Sequence, residues 1–266
     1  GWQQAVLVTA IPAALLTLGW WHYGRDRPQQ HARVTAEELA ELDSAPPAPP
    51  LTFARMGEVL RNRNIVLLAV SYLCMNFVFY MISFWSFMYL VQERKLSGLE
   101  SGLTAMIPWI GAAVGAAVGG VLADRLAERY GATRGYRLLP LVSLPVGAVM
   151  LVAIPAVGSV LLAVAALTLA FFAMEVNEGP YWAATMRVAR ADTGAATGVL
   201  NTGGNIGGIV CQPLVAALVA GGDWRSAWVI GAAFAALAAV LWLFVRCGEP
   251  AEAGGRLEQG KNPCAS

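Results

Sequence analysis

The sequence predicts an all-α membrane protein with about seven membrane-spanning helices. Of its 266 residues, 57% are hydrophobic and 13% are charged, whereas a soluble domain usually carries about 25% charged residues. Such a chain cannot cover a water-facing surface with polar side chains, so we expect much of its surface to face lipid. The apolar runs are too long for strands and lack the alternation of an outer-membrane barrel.

Seven apolar runs are long enough to cross a bilayer, which takes about 20 residues in a helix. They cover roughly residues 5–23, 65–91, 103–123, 138–156, 159–182, 195–220 and 226–245. Tryptophans cluster near the ends of several runs, as in an aromatic belt at the membrane interface.

A polar segment of about 40 residues separates the first two runs and reads as a solvated linker, with a proline-rich PPAPP stretch. Thr35, followed three residues later by Glu38, predicts a capped short helix over Thr35–Leu42. The stretch RMGEVLRNRN predicts a second, amphipathic helix lying on the membrane before the next span.

The distribution of basic residues predicts the orientation. If the linker is cytoplasmic, then 15 of the 18 Lys and Arg residues fall on the cytoplasmic side. Arg94, Lys95 and Arg225 fall on the other side. The positive-inside rule therefore places the amino end of the chain outside and its carboxyl end in the cytoplasm, in a plasma membrane such as a bacterial inner membrane.

Several other classes of protein are disfavoured. The four cysteines form no CxxC pair and no cluster with histidine, which argues against a zinc site or a disulfide framework. No nucleophile–base pair or metal set stands at membrane depth, so we predict no enzyme, no metal and no cofactor. The net charge of +1 gives no indication of nucleic-acid binding.

Glycine is concentrated in the third and sixth runs. Gly111, Gly115 and Gly119 recur every four residues and predict close helix packing, because lipid supplies no hydrophobic drive for helix association. The stretch GGNIGG in the sixth run follows no strand and lacks the lysine of a phosphate-binding loop, so we interpret its glycines as packing residues too.

The third run ends in Gly120-x-x-x-Asp124-Arg125-x-x-x-Arg129, which resembles the cytoplasmic loop motif of the major facilitator superfamily. That resemblance implies a conformational latch at Gly120, Asp124, Arg125 and Arg129. Three further segments, DRPQQHARVTAEEL, YLVQERKLS and GVLNTGGNIGG, resemble the anion:cation symporter branch of that superfamily. The likeness extends from about Gly1 to Arg246.

The resemblance implies a major facilitator fold seen as helix six of twelve plus the whole carboxyl-terminal bundle, and hence a fragment whose amino-terminal half is a missing partner. The implied organisation is helix six at 1–24, a central cytoplasmic linker at 25–64, the six-helix bundle at 65–246 and a cytoplasmic tail at 247–266.

Polar residues with helical spacing mark candidate binding positions. Tyr72, Asn76 and Tyr80 share one helix face, and we expect Asn201 and Asn205 to share another that points inward. A carboxamide in hydrocarbon is costly without a partner, so each serves either an interhelical hydrogen bond or a polar cavity. The resembled family lines its central cavity with these helices, which implies that all five contact the substrate.

Glu175 and Glu178 lie near the end of the fifth run, where Pro180 is expected to break the helix. Ionisable residues inside a membrane mark functional sites by default, and an apolar surrounding favours the neutral form of a carboxyl group. We interpret the pair as a proton-coupling or gating site. A purely interfacial position for Glu178 is the alternative.

These observations together predict a secondary transporter that takes up a small organic anion, a sugar acid or an aromatic carboxylate, with protons and by alternating access. An efflux carrier of the same fold and a non-transporting membrane sensor or scaffold remain alternatives. This half of the protein offers no arginine at membrane depth, so we expect anion-pairing arginines in the missing half.

Overall fold

A computed structural model describes residues 1–43, 50 and 52–248, and they form helices joined by short turns. The PPAPP stretch, Cys264 and most of the predicted tail lie outside this range, apart from Pro50. The chain divides into two compact units, residues 1–49 and 50–266.

The first unit contains helix α1, which begins at Trp2 and ends at Tyr23, a 3₁₀ turn at Pro28–Gln30, and helix α2, Ala36–Asp43. No residue of α1 is buried within the unit. The predicted cap of α2 is confirmed: the Thr35 backbone N–H donates to Glu38 Oε2 at 2.8 Å, and Glu38 N–H donates back to Thr35 Oγ1 at 3.2 Å. The helix itself begins one residue later than predicted.

The second unit is a bundle whose core is made of long apolar helices. Its elements are α3 (Phe53–Arg61), α4 (Arg63–Gln92), α5 (Gly98–Thr104), α6 (Ile107–Tyr130), α7 (Ala132–Ala156), α8 (Val160–Glu175), α9 (Glu178–Ala189), a 3₁₀ turn (Arg190–Asp192), α10 (Thr193–Ala220) and α11 (Trp224–Trp242). The predicted amphipathic helix is present as α3, which buries Val59 and leaves Leu60 exposed.

Six helical segments within the described residues are long and apolar enough to cross a membrane. One of them, residues 160–220, is 61 residues long and contains α8, α9 and α10. This segment is far longer than the roughly 20 residues that one crossing takes, and it covers the fifth and sixth apolar runs of the sequence. The seven apolar runs of the sequence are therefore all accounted for by helices.

The fifth predicted run is broken, but not where the sequence suggested. The helix is interrupted at Val176 and Asn177, before Pro180, which lies instead in the first turn of α9. Proline is tolerated in a first turn because its missing N–H would have had no partner there. The Asn177 side-chain amide donates to the carbonyls of Ala173 at 2.7 Å and Met174 at 3.2 Å, and so caps the end of α8.

The glycines of α6 form the predicted packing strip, and the partner helix is α8. A Cβ atom on Gly111 would lie 2.7 Å from the Thr168 side chain, and one on Gly115 would lie 2.7 Å from the Phe172 carbonyl oxygen. A Cβ on Gly119 would collide with the Val176 carbonyl. Glycine at these positions lets the two backbones touch.

A second glycine strip brings α10 against α4. A Cβ on Gly203 would lie 2.6 Å from the Ala69 carbonyl oxygen, and one on Gly207 would collide with that of Leu73. The predicted packing role of the GGNIGG glycines is thereby confirmed.

Replacing Gly203 with valine should destabilise the bundle, because the new side chain must displace the backbone of Ala69. Overpacking of this kind typically costs about 1–3 kcal/mol. Gly198→Val is the matched control in the same helix, since nothing lies within 4 Å of a Cβ at Gly198. Thermal unfolding in detergent should show a lower Tm for Gly203→Val alone. Equal Tm values for the two variants would contradict the close approach of α4 and α10.

Candidate functional site

The polar face predicted on α4 is turned toward α10. A Cβ atom added to Gly204 would lie 2.8 Å from the Tyr72 ring and 3.1 Å from the amide carbon of Asn76. A Cβ atom added to Gly208 would lie 2.6 Å from the Tyr80 ring. Because Gly204 and Gly208 have no side chains, α10 leaves room for these polar residues of α4. Tyr72 is buried, whereas Asn76 and Tyr80 are half-buried.

One hydrogen bond joins the two predicted polar faces: the Tyr80 hydroxyl donates to Asn205 Oδ1 at 3.2 Å. The Asn205 amide donates in turn to the carbonyl of Asn201, one turn earlier, at 2.9 Å. Asn76 is occupied within its own helix, where its amide donates to the Tyr72 carbonyl at 3.0 Å.

Asn201 and Asn205 are exposed in the described unit, so they do not point into the core of this bundle. Their expected orientation toward a substrate cavity stays a prediction. Gly203, Gly204 and the later glycines occupy the face of α10 that packs on α4. The two asparagines consequently lie on the neighbouring faces, where Asn205 still reaches Tyr80 at the edge of the contact.

A cavity of about 430 Å³ opens beside this hydrogen bond. Its lining combines polar and apolar side chains, contributed by Tyr80, Phe84, Asn205, Gly208, Ile209 and Gln212. The volume falls in the range of pockets that bind small molecules, roughly 300–1,000 Å³.

Gln212 belongs to the cavity although the sequence did not mark it as a binding residue. Its Oε1 accepts a hydrogen bond from Trp85 Nε1 at 3.1 Å, which orients the side chain. The sequence could have indicated this role, because Gln212 follows Asn205 by seven residues, which is two helical turns along the same face.

Glu178 accepts hydrogen bonds from side chains of two helices, α4 and α9. The Tyr72 hydroxyl lies 3.1 Å from both of its carboxylate oxygens, and Trp182 Nε1 donates to Oε2 at 2.8 Å. Glu178 is the first residue of α9, where the helix dipole favours negative charge. The carboxylate thus joins α9 to α4.

Glu175 has a different environment, at the end of α8. Its side chain is half-buried, and Oε1 has no hydrogen-bond partner in the part of the chain that the structure describes. Its Cβ packs against α6, 3.3 Å from the position of a Cβ on Gly115. A buried oxygen without a partner costs about 1–3 kcal/mol, so this position calls for a proton, a water molecule or a ligand.

The predicted latch residues divide into two groups. Gly120 lets α9 approach, because a Cβ on Gly179 would lie 2.9 Å from the Gly120 Cα. Asp124, Arg125 and Arg129 are exposed at the end of α6 and make no ion pair with another described residue. Their latch role stays a prediction.

Comparison with known proteins gives the chain a family context. The sequence profile of the Major Facilitator Superfamily matches residues 1–211. The "Probable sulfoacetate transporter SauU" of Cupriavidus necator is 28% identical over 256 residues, which cover 92% of this chain and 58% of the relative.

Two further relatives come from Bacillus subtilis. The "Probable galactarate/D-glucarate transporter GudP" is 24% identical and covers 92% of this chain and 56% of its own length. The "Hexuronate transporter" is 24% identical, and the matched region covers 94% of this chain and 60% of the relative. The chain therefore spans somewhat more than half the length of the curated relatives it matches.

A cysteine at position 205 should react with a water-soluble thiol reagent, because Asn205 is exposed beside the cavity and reaction requires a solvated thiolate. The experiment uses a chain whose four native cysteines are replaced by alanine. Val78→Cys is the control, since Val78 is fully buried in α4. Equal protection of both cysteines would mean that no aqueous cavity exists at this face.

Proposed function

The chain belongs to the major facilitator superfamily, and on that premise we propose that the protein carries a small organic anion together with a proton across the membrane by alternating access. The chain supplies one wall of the substrate site and the carboxylate that binds the proton. Carriers of this kind move substrate without chemical change.

The names of the relatives support the substrate class. Sulfoacetate, galactarate, glucarate and hexuronates are small anions that carry a carboxylate or sulfonate group, and the proteins named for them match along most of this chain. For this protein we propose a substrate of the same kind, a small organic acid, and among these a hydroxylated sugar acid such as those named for two of the relatives.

The observation that carries the proposal is the chemistry of the cavity between α4 and α10. Its hydrogen-bonding groups, on Tyr80, Asn205 and Gln212, are all neutral. Hydroxyl and amide groups suit the hydroxyl and carboxylate oxygens of a sugar acid. No Lys or Arg is among the residues that line it, so the cationic partner of the anion is expected in a part of the protein beyond this bundle.

The proton site follows from Glu178 and its two donors. As a carboxylate, Glu178 accepts from Tyr72 and Trp182 and holds α9 against α4. A proton on Glu178 removes acceptor capacity and weakens both bonds. Since α9 is separated from α8 by the break at Val176 and Asn177, this change acts on a short helix rather than on a whole span.

Glu178→Gln in the complete carrier should abolish accumulation driven by a pH gradient, because glutamine cannot take up and release the proton. For a monovalent anion carried with one proton, one pH unit supports about tenfold accumulation. Proteoliposome uptake of a hydroxylated acid should reach that level with the native protein and only equilibrate with the variant. Exchange of internal for external substrate should persist.

Glu93→Gln is the matched control, since Glu93 is exposed at the end of α4 and takes no part in the site. Accumulation by Glu178→Gln at the native level would exclude the proton role and leave a carrier with a different coupling ion. Absence of any uptake or exchange by the native protein would favour a membrane sensor or scaffold.

Asn205→Ala should weaken binding of a sugar acid by about three- to tenfold, corresponding to one hydrogen bond of about 0.5–1.5 kcal/mol. Thermal-shift titration of the complete carrier with hydroxylated acids and with lipophilic cations measures the affinity for each ligand. It also shows which of the two chemical classes the carrier binds. Thr202→Ala is the control, because Thr202 is exposed on the same helix but bonds to its own backbone. Stabilisation by the cations alone would favour an efflux carrier.

A further inference from the structure

Five arginines gather at one end of the second unit, away from the candidate site. They lie around two adjoining cavities of about 550 and 200 Å³, which share Arg246 and Gly248. Arg134 and Arg137 line the larger cavity, and Arg187 and Arg190 line the smaller one. This is the end of the bundle at which α6, α9 and α11 finish and α7 begins.

The segment that carries Arg246 is fixed by hydrogen bonds on both sides. Arg137 Nε donates to the Val245 carbonyl at 2.5 Å, the Arg246 backbone N–H donates to Asn64 Oδ1 at 2.9 Å, and the Cys247 N–H donates to Thr133 Oγ1 at 3.1 Å. Val245 and Cys247 are buried, while the Arg246 side chain is exposed between the two cavities. The cavities are therefore built into the fold.

The positive charge of these cavities is not neutralised by neighbouring carboxylates of the described residues. The ion pair found there joins Arg55 to Asp192, and none of the five arginines lies within 4.0 Å of a described acidic oxygen. Burial raises the pKa of the Cys247 thiol to about 11, so this side chain is neutral at physiological pH and adds no negative charge.

Apolar side chains adjoin the arginines on the outer surface. Leu138 lies one turn after Arg134 on α7, and Leu243 and Phe244 directly precede the Arg246 segment; these three side chains are 40%, 52% and 51% exposed. A ligand held here would meet positive charge at one end and an apolar surface at the other.

We propose that the two cavities bind the phosphate group of an anionic phospholipid, with its acyl chains lying over Leu138, Leu243 and Phe244. Arginine suits phosphate because its planar guanidinium group makes paired, charge-assisted hydrogen bonds. Basic pockets between membrane helices near the headgroup level are sites where such lipids bind. The adjoining apolar surface favours a lipid over a free phosphate ion, which would use only the arginines.

The test titrates the 266-residue chain in detergent with phosphatidylglycerol or phosphatidylcholine of the same acyl length and counts bound lipid by native mass spectrometry. Phosphatidylglycerol should bind at least about tenfold more tightly, a difference of about 1.4 kcal/mol. Arg134→Gln combined with Arg246→Gln should remove this preference. Both side chains are exposed, and neither forms the backbone bonds that fix the site.

The control combines Arg61→Gln with Arg125→Gln, which removes the same charge from the same end of the bundle without touching either cavity lining. This variant should keep the preference. Equal binding of the two lipids, an equal loss in the control variant, or full displacement of phosphatidylglycerol by millimolar inorganic phosphate would each overturn the proposal.

Hydrogen exchange of the unmodified chain gives a second readout that does not depend on a variant folding. Phosphatidylglycerol should slow amide exchange in residues 131–137 and 245–248 relative to phosphatidylcholine, because both segments contribute residues to the cavity linings. Unchanged exchange in both segments would equally overturn the proposal.

Discussion

The backbone contact between α4 and α10 is the constraint on which the candidate site depends. In an apolar medium two helices gain nothing from excluding water, so their surfaces must fit closely to associate. Gly203 and Gly207 provide that fit by meeting the carbonyls of α4. At this separation the Tyr80 ring rests on Gly208, and its hydroxyl reaches Asn205 across the contact. A larger residue on α10 would separate the polar groups as well as the helices.

The interruption between α8 and α9 places the carboxylate. In a continuous helix, Glu178 would be an interior residue, and the backbone N–H groups around it would all be hydrogen-bonded within the helix. The break instead makes Glu178 the first residue of a new helix, and Asn177 takes over the bonds that the end of α8 lacks. Gly179 against Gly120 then lets this turn sit close to α6. Packing of glycine on glycine thus holds the turn that presents Glu178 to Tyr72.

The sequence reveals the helices and most of the contacts that use small residues, because spacing of three or four positions is a local property. It predicts the faces of α4 and α6 correctly for that reason. It misplaces the break at Pro180, since proline is compatible with a helix interior near its start as well as with an end. It also leaves the direction of Asn201 and the role of Gln212 open, because paired glycines at 203, 204, 207 and 208 offer two packing faces and only the neighbouring helix selects between them.

The separation of charge within the bundle gives the proposed coupling a physical basis. The arginines around Arg246 lie at one end, and the polar side chains of the candidate site, on α4, α9 and α10, are neutral or acidic. An ionised Glu178 opposes a second negative charge in the same low-dielectric interior, and a protonated Glu178 does not. On the proposed function, proton and anion would therefore favour each other's binding, and by linkage this coupling would be reciprocal. On the proposed function, a bundle whose cavity wall is neutral and whose Glu178 carboxylate is held by Tyr72 and Trp182 would admit an anion together with a proton, and a cationic group beyond this bundle would pair with the anion.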